Sequence, residues 1–201
     1  MNTKIVSFKS KELVDSIRKG EVVAFPTETV YGLGCIASKE EAFEAMVSVK
    51  NRRPDKPFTL MLSDPKEIDQ YAEVNDKTRK LVNEYMPGEI TLLLKPKAHL
   101  PHWVTLNSKY LGVRVAGKEE VCDLIARVGE PMLVTSANIS GQTSNADFEG
   151  TYHVFKDKIP YIVDGETKSA IPSTIVICDE DLTLVREGTI KFEDIKKTWE
   201  E

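Results

Sequence analysis

The feature that most limits the folds open to this chain is a recurrence of very short apolar runs, set apart by glycine, proline or stretches of helical character. Ile90–Leu94, Leu111–Val115, Tyr161–Val163 and Thr174–Cys178 are of this kind, as are residues 4–8, 22–25, 58–62, 132–135 and 182–185. Runs of this length suit buried strands and are too short to cover a core as helices. Helical signals fall between several of them. Residues 10–19 are bracketed by Ser10 as N-cap and Gly20 as a stop. Ser38 and Glu41 read as a capping box that opens a helix toward Lys50. A helix over residues 77–85 is closed by Pro87 and Gly88. Strands and helices alternating in this way predict an α/β sheet protein.

Length and composition then narrow the class. A chain of 201 residues, 41% hydrophobic and 29% charged, is expected to fold as a single globular domain over residues 1–201, with its core at about 5–190 and a charged helix or tail at 191–201. No stretch approaches the roughly 20 apolar residues that a membrane span needs. The first residues lack the apolar region of a signal peptide. Cys35, Cys122 and Cys178 are far apart and have no metal-ligand spacing, which suits reduced thiols in a cytoplasmic protein. The net charge of −5 argues against binding nucleic acid by bulk attraction. Lys50, Arg52, Arg53 and Lys56 nevertheless crowd into one short segment with Asp55. A local cationic site on an acidic protein suits a small anionic ligand better than a long polyanion.

Several chemistries are set aside. His99, His102 and His153 form no metal-binding pattern, and the first two sit in a proline-rich loop that reads as surface. There is no Walker A loop, no G-x-G-x-x-G, and Ser136 lacks the context of a hydrolase elbow. What stands out instead are polar segments at the ends of apolar runs. Thr27, Glu28, Thr29, Tyr31, Gly32 and Gly34 follow the run that ends at Phe25-Pro26; they offer hydroxyls and close backbone approach, or an ordinary tight turn. The basic cluster beginning at Lys50 offers bidentate and point-charge contacts to phosphate, or a solvated turn; Pro54 and Pro57 restrict it more than solubility requires. Ser136, Asn138, Ser140 and Gly141 follow the run 132–135 and either line a pocket or cap the next helix. Ser173 and Thr174 precede one run, and Arg186 follows the next. Arg114 is a charge inside an apolar strand, where arginine is rarely buried unless paired or met by an anion. In open α/β sheets ligands bind at strand ends. Hydroxyls and cations gathered there without a nucleophile describe a pocket for phosphates and a carboxylate.

Taken in this order, the segments resemble the YrdC/Sua5 family. F-P-T-E-T-V-Y-G-L-G at residues 25–34 matches throughout; K-x-R with a downstream K-P is Lys50, Arg52, Lys56 and Pro57; S-x-N-x-S-G is Ser136, Asn138, Ser140 and Gly141; S-T-I is Ser173, Thr174 and Ile175; and R-x-G is Arg186, Glu187 and Gly188. The resemblance implies a twisted, open, mixed sheet with flanking helices and a concave, positively lined cleft. It implies that ATP, L-threonine and bicarbonate give threonylcarbamoyl-AMP and pyrophosphate, for the threonylcarbamoyl modification of adenosine in tRNA. By the motif matches, Thr29, Arg114, Ser136 and Ser173 would contact threonine. Lys50, Arg52, Lys56, Asn138 and Arg186 would hold ATP, with Lys50 and Arg52 as the cations at the transferring phosphorus. Mg²⁺ would arrive with the triphosphate and take no protein side chain as ligand. No residue is assigned as acid or base. A transferase would act downstream on the product, with tRNA or double-stranded RNA as a further partner.

The chain departs from the family at Ala116, where a proline is usual after the strand arginine, at Tyr110, where a small hydroxyl residue is usual, and at Met61, where a histidine is frequent. The same departures are similar to the YciO-like branch. With only residues 191–201 beyond the last motif, the expectation is a short, single-domain member. A non-catalytic RNA-binding module is the alternative of a different class; few aromatic side chains look exposed enough to stack bases. The polar stretch 141–150 is a candidate lid.

Overall fold

A computed structural model of the protein describes residues 2–141, 145 and 147–201. The chain begins with β1 (Lys4–Val6), α1 (Lys11–Lys19), β2 (Val23–Pro26), β3 (Tyr31–Ile36) and α2 (Glu40–Lys50). It continues through β4 (Thr59–Leu62), the short α3 (Ile68–Tyr71), α4 (Asp76–Tyr85), β5 (Ile90–Leu94) and the single turn α5 (His102–Thr105). Then come β6 (Leu111–Val115), α6 (Glu119–Val128), β7 (Met132–Ser136), α7 (Phe148–Phe155), β8 (Tyr161–Val163), β9 (Thr174–Cys178), β10 (Leu182–Arg186) and α8 (Phe192–Glu200).

Local signals explain most of these elements. Ser10 caps α1 by accepting from the Leu13 N–H, and Gly20 ends it in the left-handed region at φ 99°. Leu13, Val14 and Ile17 form its buried stripe. The expected Ser38–Glu41 box does not form. Lys39 is the N-cap of α2 and makes no side-chain cap bond, so the helix starts one residue later than the motif requires. Asn75 caps α4 instead of the helix starting at Lys77. Of the candidate lid, residues 142–144 and 146 lie outside the described residues; from Asp147 the chain already caps α7.

The ten strands form one mixed sheet in the order β1-β8-β2-β3-β7-β4-β6-β5-β9-β10. Pairs β1–β8, β2–β8, β4–β6 and β5–β9 are parallel, and the others are antiparallel. The element read wrongly from sequence is β3. Its Tyr31, Gly32, Leu33 and Gly34 belong to the segment 25–34 that reads as a ligand loop, yet they open a fully buried strand near the middle of the sheet. Gly34 is there for packing: a Cβ would come within 2.7 Å of both Met132 Cε and Phe25 Cε1.

Side chains alternate across the sheet. Leu60, Leu62, Leu92, Leu94, Val113, Val115 and Leu133 are all buried on one face; α6 packs on β4, and α1 and α2 pack on β3. The opposite face of the same strands carries the polar and small residues that form the site.

Candidate functional site

Strand register turns that second face into the floor of a cleft of about 420 Å³. Met61 pairs with Arg114, Thr91 with Ile175, and Ile175 with Arg186, so these five lie in one row across β4, β6, β5, β9 and β10. Two residues along the strands, Leu93 pairs with Gly112 and Thr59 with Val134, which makes a second row. A further step brings Tyr110 and Pro57 level with the directly paired Ser136 and Gly32. Every residue of these three rows lines the cleft. The period of two along β4, β5 and β6 is why alternate positions there serve the site while their neighbours serve the core.

The hairpin turn between β2 and β3 closes one side. Thr27 Oγ1 donates to the Val30 carbonyl at 2.7 Å, accepts from the Thr29 N–H at 3.1 Å, and lies 2.9 Å from Thr29 Oγ1. This fixes Glu28 and Thr29, both almost wholly buried, toward β6. There Arg114 Nη2 donates to Glu28 Oε1 and, at 3.2 Å, to Thr29 Oγ1. Among the described residues, Glu28 Oε2 and Arg114 Nε are buried without a partner. Arg114 is thus a paired buried cation that still lines the cleft, and among the described residues its hydrogen bonds run through Nη2.

Behind Ser136 lies a second polar knot. Lys50 is buried, and its ammonium donates to the Ser136 carbonyl at 2.6 Å, the Asn138 carbonyl at 3.1 Å and Asn138 Oδ1 at 2.9 Å. That uses all three donors of a lysine. Ser136 Oγ donates to the same Asn138 Oδ1 at 2.6 Å. Burial, with the Arg52 charge second, pulls the Lys50 pKa down to about 8. Arg52 lines the cleft, donates to the carbonyls of Lys56 and Pro57, and sits 5.1 Å above the Phe58 ring. Lys56 is exposed and outside the lining, and Arg53 pairs with Asp55 at the surface.

On the far side, Arg186 donates from Nε and Nη2 to the Ser173 carbonyl, at 3.2 and 2.8 Å. Ser173 Oγ lies 2.9 Å from Thr91 Oγ1. Gly188 allows this. A Cβ there would stand 2.1 Å from the Pro172 carbonyl oxygen and 2.7 Å from the Thr174 nitrogen, so R-x-G and P-S-T close on each other only through glycine. Burial and the facing Arg114 charge lower the Arg186 pKa.

Of the residues singled out by sequence, the fold brings Thr29, Arg52, Arg114, Ser136, Ser173 and Arg186 to the cleft surface. Lys50 and Asn138 lie directly behind Ser136, and Lys56 stands apart. The reading missed Thr59 and Thr91, each a hydroxyl inside an apolar run. It also gave Glu28 no role, although a lone carboxylate in an apolar segment is the same signal that marked Arg114. The cleft is cationic through Arg52, Arg114 and Arg186, with Glu28 tied to one of them. Among the described residues no group of three or more His, Cys, Asp and Glu is placed to hold a metal. Burial pushes the Cys35 and Cys178 thiols up to about 12, and the Cys122 thiol to about 11, far from thiolate character at neutral pH.

Comparison with known proteins places these features in a family. The model of the Sua5, YciO and YrdC family, described as telomere recombination, matches residues 15–188. A putative threonylcarbamoyl-AMP synthase of Methanocaldococcus jannaschii is 32% identical over 96% of this chain and 90% of its own length. The structure of P. abyssi Sua5 complexed with L-threonine superposes with a TM-score of 0.91 and 30% identity, covering 98% of this chain. This chain spans 61% of that one. E. coli YciO superposes with a TM-score of 0.84 and 28% identity, over 92% of this chain and 91% of its own. No described helix is long and apolar enough to cross a membrane.

Proposed function

This chain belongs to the Sua5, YciO and YrdC family, and on that premise we propose that it is an L-threonylcarbamoyladenylate synthase, a nucleotidyltransferase acting on ATP, L-threonine and bicarbonate. The observation that carries the reading is Arg114: a buried guanidinium on the cleft floor, held from behind by Glu28 and Thr29, with Nη1 left for a substrate carboxylate. The hydroxyls of Thr29 and Ser173 flank it. Arg52 and Arg186 bracket the floor and would take the phosphates. Lys50 would reach a phosphate oxygen by giving up one of its carbonyl partners; otherwise it acts by holding Ser136 and Asn138. Lys56, outside the lining, would add long-range charge alone.

The threonine amine adds to the carbon of bicarbonate with loss of water, giving a carbamate. A carbamate oxygen then attacks the α-phosphorus of ATP, the bond to the bridging oxygen breaks, and pyrophosphate leaves with the negative charge. Arginines fixed before the reaction stabilise charge at that phosphorus without reorganising, and a floor that holds all reactants supplies proximity. The described lining offers guanidiniums and hydroxyls, and the carboxylate of Glu28 next to it is taken by Arg114, a donor set that suits Mg²⁺ carried by the phosphates. The product would serve modification of tRNA by a separate transferase. The deciding experiment is pyrophosphate release from Mg-ATP, with threonine and bicarbonate each omitted in turn. Release that needs both supports the reading. Nucleotide binding without release under any condition would reject it in favour of a YciO-like role.

A further inference from the structure

One end of the cleft is built in a way that the reaction above does not use. Tyr110 continues the cleft face of β6, four residues before Arg114, or about 13 Å away at roughly 3.3 Å per residue. Its hydroxyl donates to Asp179 Oδ2 at 2.8 Å. Lys95 and Lys109 hold the same carboxylate at 2.5 and 3.0 Å, and the Lys109 ammonium stands 4.9 Å from the centre of the Tyr110 ring. Lys95 and Asp179 extend β5 and β9 by one residue, so with Tyr110 they continue one row across three neighbouring strands. The anchor lies outside the lining and the ring inside it. Tyr31 and Phe58, the other aromatic residues of the lining, are buried, whereas Tyr110 is partly exposed. Leu93 lies diagonally next to it on the neighbouring strand, while Ile175 and the half-exposed Val185 line the same cleft nearer Arg186. The cleft floor therefore runs from the row that holds Arg114, past Leu93 and Gly112, to an end formed by one tethered ring.

We propose that Asp179 is a positioning residue that fixes Tyr110 as the aromatic end wall of the cleft, against which the flat base of the nucleotide is held. The inference rests on ATP being a ligand of this cleft, as the proposed function has it, and adds which residues select the base over the bare polyphosphate. A ring pinned at its hydroxyl loses little freedom when a base stacks on it, and so the contact favours binding more than a mobile side chain would.

The test compares ATP with inorganic tripolyphosphate by calorimetric titration of the full chain with Mg²⁺ and without threonine. Tyr110→Ala is expected to weaken ATP about tenfold, within the range of an aromatic–base stack, and to leave tripolyphosphate unchanged. Tyr110→Phe and Asp179→Ala should each weaken ATP about two- to threefold, and the double variant no more than either alone, because both remove one hydrogen bond. Equal weakening of ATP and tripolyphosphate by Tyr110→Ala, unchanged ATP affinity, or additive effects of the two anchor variants would each overturn the proposal. So would a wild-type protein that binds ATP no better than tripolyphosphate. The Phe and Asp179 variants keep the question open to test if Tyr110→Ala does not fold. Should the expected pattern appear in a protein that releases no pyrophosphate, the end wall stands and the proposed reaction fails.

Discussion

Glu28 and Arg114, 86 residues apart in the chain, meet beneath the cleft floor through a single guanidinium nitrogen, and among the described residues each keeps one buried polar atom unmatched. Removing either partner alone strands a buried charge, which costs about 3–5 kcal/mol. Arg114→Ala should therefore abolish threonine-dependent pyrophosphate release and also lower the urea midpoint. Glu28→Gln combined with Arg114→Met should recover most of the lost stability and none of the activity. A double variant as unstable as Arg114→Ala would show that the ion pair itself, and not the orphaned charge, sets the cost.

Gly188 separates two motifs that share one space. Gly188→Ala forces a carbon onto the Pro172 carbonyl, and overpacking of this kind costs roughly 1–3 kcal/mol. Because Ser173 and Arg186 move with the clash, the KM values for threonine and ATP should rise together. A change confined to thermal stability would mean that the two motifs can separate without harm to the site.

Lys50 makes a two-sided prediction about pH. Its protonated form donates the three bonds that hold Ser136 and Asn138, so kcat/KM should fall as pH rises through about 8. Stability runs the other way. The native pKa lies below the ordinary 10.5, so between the two values the unfolded chain holds a proton that the native chain has released, and unfolding becomes harder as pH rises. A pH–rate profile and urea midpoints across the same range read both. Activity and stability falling together above about pH 8 would assign the alkaline limb to another group.

Arg52 and Lys56 stand four residues apart and should behave differently. Arg52→Ala removes a lining cation and should lower kcat/KM for ATP about 100-fold. Lys56→Ala removes an exposed charge and should change it less than about threefold, and only at low salt. Comparable losses in both would place Lys56 in the site when nucleotide is bound.

Much of this was legible in the residues for stated reasons. Ile90–Leu94 and Leu111–Val115 were read at their observed bounds because they are dense runs with turn residues on both sides. Arg114 announced itself as a charge where only apolar residues belong. The failures have physical causes as well. Tyr31–Gly34 reads as the end of a polar loop over residues 25–34 because its glycines suggest close approach to a ligand, whereas Gly34 serves close packing against Phe25, a partner that only the folded sheet supplies. Helix α6 went unread although Val121, Leu124, Ile125 and Val128 carry a clear helical stripe. The tie between Lys50 and Asn138 spans 88 residues and has no local signal. The same holds for the one between Tyr110 and Asp179.

The alternation along β4, β5 and β6 also bears on how such a protein can change over generations. Met61, Gly112 and Tyr110 face the cleft, while Leu60, Leu62, Val113 and Leu111 face the core from the same ribbons of backbone. Selection can therefore rewrite the chemistry of one side without renegotiating the packing of the other. A saturation library across these strands should show fitness effects that switch, residue by residue, between loss of abundance and loss of turnover.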